Sequence, residues 1–184
     1  MARRILFLGP PGAGKGTQAA MIARALKVPH ISTGAMLRDA VAAGTPLGTQ
    51  VESVMAAGDL VSDELVVAIV DERLSREDAR CGYILDGFPR NVAQAQALND
   101  AVLNAIGTVV LLDVDVDELV ARLVNRAALE GRADDNEETI RRRLDVYLSE
   151  TEPLVEHYGN AVIAIDGMGS VEEVFSRIAL ALAG

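Results

Sequence analysis

The apolar run Ile5–Leu8 and the stretch "GPPGAGKGTQ" that follows it, Gly9 to Gln18, constrain this chain more than any other part of it. A short β-rich run, a loop with Gly9, Gly12 and Gly14, and a helical pattern from Lys15 to Lys27 stand in the order that a phosphate-binding loop requires. The glycines let the chain wrap closely, so that backbone N–H groups converge on phosphate oxygens at a helix N-terminus. Lys15 then reaches the β- and γ-phosphates of a nucleoside triphosphate. Gly16 departs from the usual pattern, which places there a serine or threonine whose hydroxyl ligates magnesium.

Further along, apolar runs alternate with helical patterns. "YIL" (Tyr83 to Leu85), "TVVLLDV" (Thr108 to Val114) and "AVIAI" (Ala161 to Ile165) join "ILFL" as short runs with little polar alternation, the mark of buried parallel strands. Helical patterns cover 15–27, 62–74, 91–103, 115–124, 137–158 and 170–182, the last opening with Ser170 and Glu173 at capping-box spacing. The order predicts an α/β fold, a doubly wound parallel sheet of about five strands flanked by helices. Two segments break the alternation and read as insertions: 32–61, with two short helical patterns around "GTPLG", and the polar, non-periodic "AALEGRADDN", Ala127 to Asn136. A chain of 184 residues with 50% hydrophobic content fits one such domain, 1–184.

The formal net charge of −10 excludes a nucleic-acid or anionic-membrane partner, since a phosphate polymer would be repelled over most of the surface. Any anionic ligand must therefore meet a local cationic site. Cys81 is the only cysteine, which excludes a disulfide framework and a thiolate zinc site and fits a reducing cytoplasm. The apolar run in "MARRILFLG" stops at the glycine loop, too short for a signal peptide, and no stretch approaches membrane-spanning length.

Two further constellations carry chemistry. In "GYILDGFPR", Asp86 ends a buried strand, where open α/β sheets bind ligands, and is placed to face phosphates and their magnesium. Arg90 follows a Gly-Phe-Pro turn that fixes its direction and suits bidentate phosphate binding. The second is the series Arg122, Arg126, Arg132 and Arg143. Arg122 and Arg126 share a helix face. Only Lys15 and Lys27 among 17 basic residues are lysines, so a bias toward arginine explains the series as well as a mobile flap closing over transferring phosphates does. Spacing leaves the two readings balanced. The bias covers Arg3, Arg73, Arg76 and Arg80.

"GPPGAGKGTQ", "STGAMLRD", "GDLVSDELV", "DGFPRNVAQAQAL" and "GRADDNEETIRRRL" together resemble, in order and almost end to end, the motifs of the adenylate kinases in their short-lid form. The Gly-Lys-Gly-Thr ending of the loop is typical of that group. The resemblance implies magnesium-dependent transfer of the ATP γ-phosphoryl group to AMP, giving two ADP. It places Gly12, Ala13, Gly14, Lys15, Gly16 and Thr17 at the ATP phosphates, Arg122 and Arg126 on the ATP side, and Gly169 near the adenine. On the AMP side it implies Thr33, Arg38, the backbone of Asp59, Leu60 and Val61, then Gly87, Phe88, Pro89, Arg90 and Gln94. Arg132 and Arg143 bridge toward the transferring phosphoryl group, and with Lys15 and Arg90 form the catalytic set. Residues 32–61 become an AMP-binding flap and 125–135 a short lid, without the cysteine tetrad that zinc requires. A monomer is expected.

The attacking group is then an AMP phosphate oxygen, already ionised, so no general base is required. His30 and His157 receive no role, and Cys81 is expected to pack beside the third strand. Magnesium is expected on ATP, held by phosphates and waters, with no direct protein ligand and Asp86 outside its first shell. Two rivals stand beside this reading. A UMP or CMP kinase would share the fold, but Thr33 and Gln94 match the adenylate pattern. A nucleotide-binding switch would explain "DGMG", Asp166 to Gly169, yet it lies near the C-terminus and no Asn-Lys-x-Asp motif accompanies it.

Overall fold

The computed structural model describes residues 3–102, 105–130 and 136–183. Strands β1 (Arg3–Leu8), β2 (His30–Ser32), β3 (Gly82–Asp86), β4 (Thr108–Asp113) and β5 (Val162–Asp166) form one parallel sheet in the order β2-β3-β1-β4-β5. Helices α1 (Lys15–Leu26), α2 (Thr33–Ala42), α3 (Pro46–Ala57), α4 (Asp63–Leu74), α5 (Val92–Ala101), α6 (Val116–Glu130), α7 (Glu137–Val146), α8 (Pro153–Tyr158) and α9 (Val171–Ala183) connect and cover it.

Continuous apolar strands produce this architecture because both faces of the sheet are covered. Leu6 and Leu8 point with Ile31, Leu85 and Val109 into a core shared with Leu37, Val51, Val66, Val70, Leu98 and Leu154, from α2 to α5 and α8. Ile5 and Phe7 point the other way with Ile84, Val110, Leu112 and Ile165, into a core closed by Ile22 of α1, Leu119 of α6, and Val174 and Ile178 of α9. Each such side chain contributes about 1.5–3 kcal/mol when fully buried. The path from β1 runs toward β2, whereas the path from β3 runs over to β4. Strand ends β1 and β3 thus flank the switch point of the sheet, the place where ligands bind in open α/β folds.

Local signals fix the helix starts around that point. Ser32, Thr45, Asn91 and Asn136 each cap a helix by accepting from a backbone N–H three residues on. The capping box before α9 is present: Ser170 N–H donates to Glu173 Oε2 at 2.8 Å, and Glu173 N–H to Ser170 Oγ at 3.2 Å.

The fifth expected strand is located, and three local expectations are corrected. The three-residue strand β2 has no period of its own, and it completes the sheet to five strands. The helix expected over 137–158 is interrupted: α7 ends at Val146, a π-helical turn covers Tyr147–Thr151 with Glu152 N–H donating to Tyr147 O at 2.9 Å, and α8 starts at Pro153. Proline lacks the N–H that would continue the ladder. Helix α6 runs on through Ala127–Glu130, the first part of the segment read as a non-periodic insertion, because Ala, Leu and Glu are strong helix formers. Cys81 is exposed rather than packed, since it lies just before the first residue of β3, outside the paired part of the sheet.

Candidate active site

The loop between β1 and α1 meets a helix start that no side chain caps and that carries no acidic residue in its first turn. Its N–H groups are thus left for an anion, favoured also by the helix dipole. Gly12 is required by close approach: at φ 88°, an added Cβ would lie 2.9 Å from Leu119 O and 3.0 Å from Leu123 Cγ, so the loop rests against α6. Lys15 Nζ donates to Gly9 O at 2.7 Å and Pro10 O at 2.9 Å. Burial pulls its pKa down from 10.5 to about 8; Asp86 opposes this, and the guanidinium groups of Arg90, Arg143 and Arg126 add to it. Three arginines therefore surround the lysine in a chain of net charge −10. This is the local cationic site that an anionic ligand requires.

Asp86 closes β3 opposite Phe7 and Ser32 in neighbouring strands and is 8% exposed. Burial raises its pKa, but His30, Lys15 and Arg90 outweigh that effect and hold the carboxyl below its ordinary range. His30 Nε2 lies 3.5 Å from Asp86 Oδ2, and Ser32 Oγ donates to the same oxygen at 3.3 Å. A Cβ at Gly16 would stand 3.5 Å from that Oδ2. The place usually taken by a loop hydroxyl therefore faces the carboxylate, which has its hydroxyl partner from Ser32 instead.

Beyond Asp86 the chain turns through Gly87 and a cis Phe88–Pro89 peptide to Arg90. Gly87 O accepts from Thr33 Oγ1 at 2.8 Å and from Arg90 Nε at 2.9 Å. Arg90 N–H donates to Gln94 Oε1 at 2.7 Å, Gln94 Nε2 donates to Asp63 Oδ1 at 2.7 Å, and Thr151 Oγ1 donates to Arg90 O at 2.8 Å. Arg90 is thereby fixed by groups from α5 and the π-helical turn as well as by its own loop.

Two clefts open around it. One lies over Thr33, Arg38, Asp59, Leu60, Val61 and Gln94. The other lies beside Gly9, Pro11, Lys15, Pro89, Tyr147 and Thr151. Gly58, Leu60, Gly87, Arg90 and Arg143 line both. The clefts thus share a wall that carries two guanidinium groups.

A family model described as adenylate kinase matches residues 7–163 of the chain. Among curated relatives, the adenylate kinase of Xanthomonas campestris pv. campestris (strain B100) is 51% identical over 185 residues, covering 97% of this chain and 98% of the relative. That of Thermus thermophilus is 50% identical over 188 residues, covering 99% and 98%. The one from Xylella fastidiosa (strain M12) is 49% identical over 185 residues, covering 97% and 98%. The chain belongs to the adenylate kinase family. Its chemistry is nucleotide phosphoryl transfer, a reaction that generally depends on magnesium.

For an adenylate kinase, the positions expected on the AMP side come together well: Thr33, Arg38, Asp59, Leu60, Val61, Gly87, Arg90, Gln94 and Arg143 line one cleft. Pro89 lines the other cleft, whereas Phe88 is 0% exposed and belongs to the core. On the ATP side, Gly12, Ala13, Gly14, Gly16 and Thr17 form the loop and the start of α1, with Ala13 buried and Thr17 exposed. Arg126 acts on Lys15 through its charge. Arg122 lines neither cleft; its Nε donates to Glu118 Oε1 at 2.7 Å and its Nη2 to Gly167 O at 3.2 Å, beside Gly169. Arg132 lies outside the described residues.

Sequence reasoning missed His30, Ser32, Asp63, Tyr147 and Thr151. The partners of His30, Ser32, Asp63 and Thr151 stand 28 to 61 residues away in sequence, and Tyr147 meets the cleft only through the fold, so no local pattern displays them. Only Asn91 and Gln94, at the spacing of a cap and the third helical residue, hint at the Asp63 cluster.

Proposed function

We propose that the protein reversibly transfers the γ-phosphoryl group of ATP to AMP, giving two ADP. The shared wall carries this reading: the clefts at the flap and at the phosphate loop meet at Arg90 and Arg143, as in-line transfer between two bound nucleotides requires. AMP occupies the cleft over Thr33 and Arg38, and ATP lays its phosphates on the N–H groups from Gly12 to Thr17. Lys15, Arg90 and Arg143, joined by Arg132, bind the charge that develops on the transferring group. Arg122 and Arg126 hold ATP from α6, with its adenine at Gly169. Gln94 retains one amide hydrogen and one oxygen lone pair for the adenine edge of AMP, after its bonds to Asp63 and to Arg90 N–H.

Residues 32–61 act as the AMP flap and 125–135 as the lid of a single domain 1–184. Closure excludes water from the γ-phosphoryl group. Magnesium carried on ATP would offset phosphate charge at this site. The donor set suits that arrangement, since among the described residues no group of three metal-capable side chains gathers around Asp86, and Gly16 offers no hydroxyl. Asp86, held ionised, is the residue that would orient waters around the metal. The protein works in the cytoplasm as a monomer, and no helix among the described residues is long and apolar enough to cross a membrane.

An ATP-dependent assay against AMP, CMP, UMP and GMP tests this. AMP is expected to lead in kcat/KM by ~10²-fold or more, because a base that leaves buried polar groups unpaired is rejected. Equal values for CMP or UMP would overturn the AMP assignment.

A further inference from the structure

The segment Asp166–Ser170, from the last residue of β5 to the start of α9, contains Gly167 and Gly169 and would be loose without outside support. It is held from two sides. From α9, Arg177 Nη1 donates to the carbonyls of Asp166 and Met168. The same nitrogen stands 3.5 Å from Asp166 Oδ2, while Asp166 Oδ1 accepts from Met168 N–H at 2.9 Å. From the opposite side, Gly167 N–H donates to Asp113 O at 2.7 Å, and Gly167 O accepts from Arg122. Gln18 of α1 donates to Val171 O at 2.9 Å and so ties the start of α9 to the helix that carries the phosphate loop.

These bonds use the loop's backbone groups almost completely. Ser170 N–H goes to Glu173, and Ser170 O accepts from Val174 N–H. Among the described residues, no hydrogen bond engages the N–H or C=O of Gly169. Its φ of 104° is a backbone conformation that favours glycine. One peptide acceptor and one donor are thus left to a ligand. The Watson–Crick edge of adenine presents a donor amine beside an acceptor nitrogen, whereas guanine presents the reverse order.

We propose that Arg177 is a positioning residue for the ATP base: by spanning two carbonyls it holds the 166–170 loop in the shape that offers Gly169 to adenine and refuses guanine. The proposal deepens the reading above, which puts the ATP adenine at Gly169. Glu173 and Arg177 lie one turn apart on α9, and Val174 and Ile178 anchor that helix in the core, so the clamp has a rigid base.

The test is Arg177→Met, which keeps the apolar stem and removes the donors. KM for ATP should rise about tenfold, with KM for AMP and kcat at saturating ATP within about twofold. The ATP-over-GTP preference in kcat/KM should fall about tenfold, and Arg177→Lys should recover part of both losses. In the nucleotide-free protein, hydrogen exchange at Met168 and Ser170 should quicken at least about tenfold. An unchanged KM for ATP with the GTP preference intact would overturn the proposal. So would a joint rise in both KM values with a lowered Tm, the sign of a merely structural role. If the unaltered protein failed to phosphorylate AMP, the functional reading would fall, while the exchange measurement would still decide whether Arg177 holds the loop.

Discussion

Lys15 sits under two opposed demands. Its Nζ must carry charge to bind phosphate, yet burial and three nearby arginines disfavour that charge and bring its pKa to about 8 from 10.5. Between those values the unfolded chain binds a proton that the folded chain has lost, so stability rises with pH from about 8 to 10.5; below that window the charge penalty is fully present. Lys15→Met should therefore stabilise the nucleotide-free protein at pH 7, by on the order of 1–2 kcal/mol once the two lost hydrogen bonds are deducted. The same change should lower kcat roughly 10²–10³-fold. Denaturant titration and steady-state assays check the pair, and a destabilised variant would contradict the account. In the unaltered protein, ATP affinity measured by calorimetry should weaken about tenfold per pH unit above the lysine's pKa. Lys15 was legible in the sequence because its strand, loop and helix are contiguous. The groups that perturb it come from elsewhere in the chain and emerge only from the fold.

Helix α7 presents neighbouring arginines to different tasks. Arg143 lines both clefts, whereas Arg142, about 100° around the axis, turns its Nε to Asp59 Oδ1 at 2.6 Å and pins the link between α3 and α4. Arg143→Ala should lower kcat about 10²-fold with little change in Tm. Arg142→Ala should leave kcat within about threefold and stability within about 1 kcal/mol, since both partners of its ion pair are more than one-third exposed. Arg73, paired with Asp78 at 2.7 Å far along the chain, serves as a silent control. Equal losses at Arg142 and Arg143 would assign the effect to the helix as a whole. The sequence showed three consecutive arginines and their helix, and the resemblance singled out Arg143; the direction of each side chain depends on how α7 docks against α3, where Thr139 Oγ1 reaches Ala56 O at 3.4 Å. Strand β2 stayed hidden for a related reason. Three residues beginning with a histidine acquire strand character only from pairing with Ile84–Asp86.

The whole molecule carries a formal charge of −10, yet its carboxylates are dispersed: among the described residues, no group of three or more metal-capable side chains converges. Calorimetry on the nucleotide-free protein should accordingly find no specific magnesium site at millimolar concentrations, while turnover depends strictly on the metal. A tight site without nucleotide would contradict delivery on ATP. Layering was readable from the sequence because continuous apolar strands alternate with helices. The strand order was not, since an apolar run does not name its neighbours. That order has a consequence for the birth of the chain. Strand β1 is the first to leave the ribosome and lies at the centre of the sheet, where it pairs with residues 82–86 and 108–113. Until β4 has been synthesised, Ile5, Leu6, Phe7 and Leu8 have at least one open edge, and until α9 follows, one poorly covered face. The strand most deeply enclosed in the finished enzyme is thus the one that waits longest for shelter, and a nascent chain stalled before Asp113 is the form on which a chaperone has most to act.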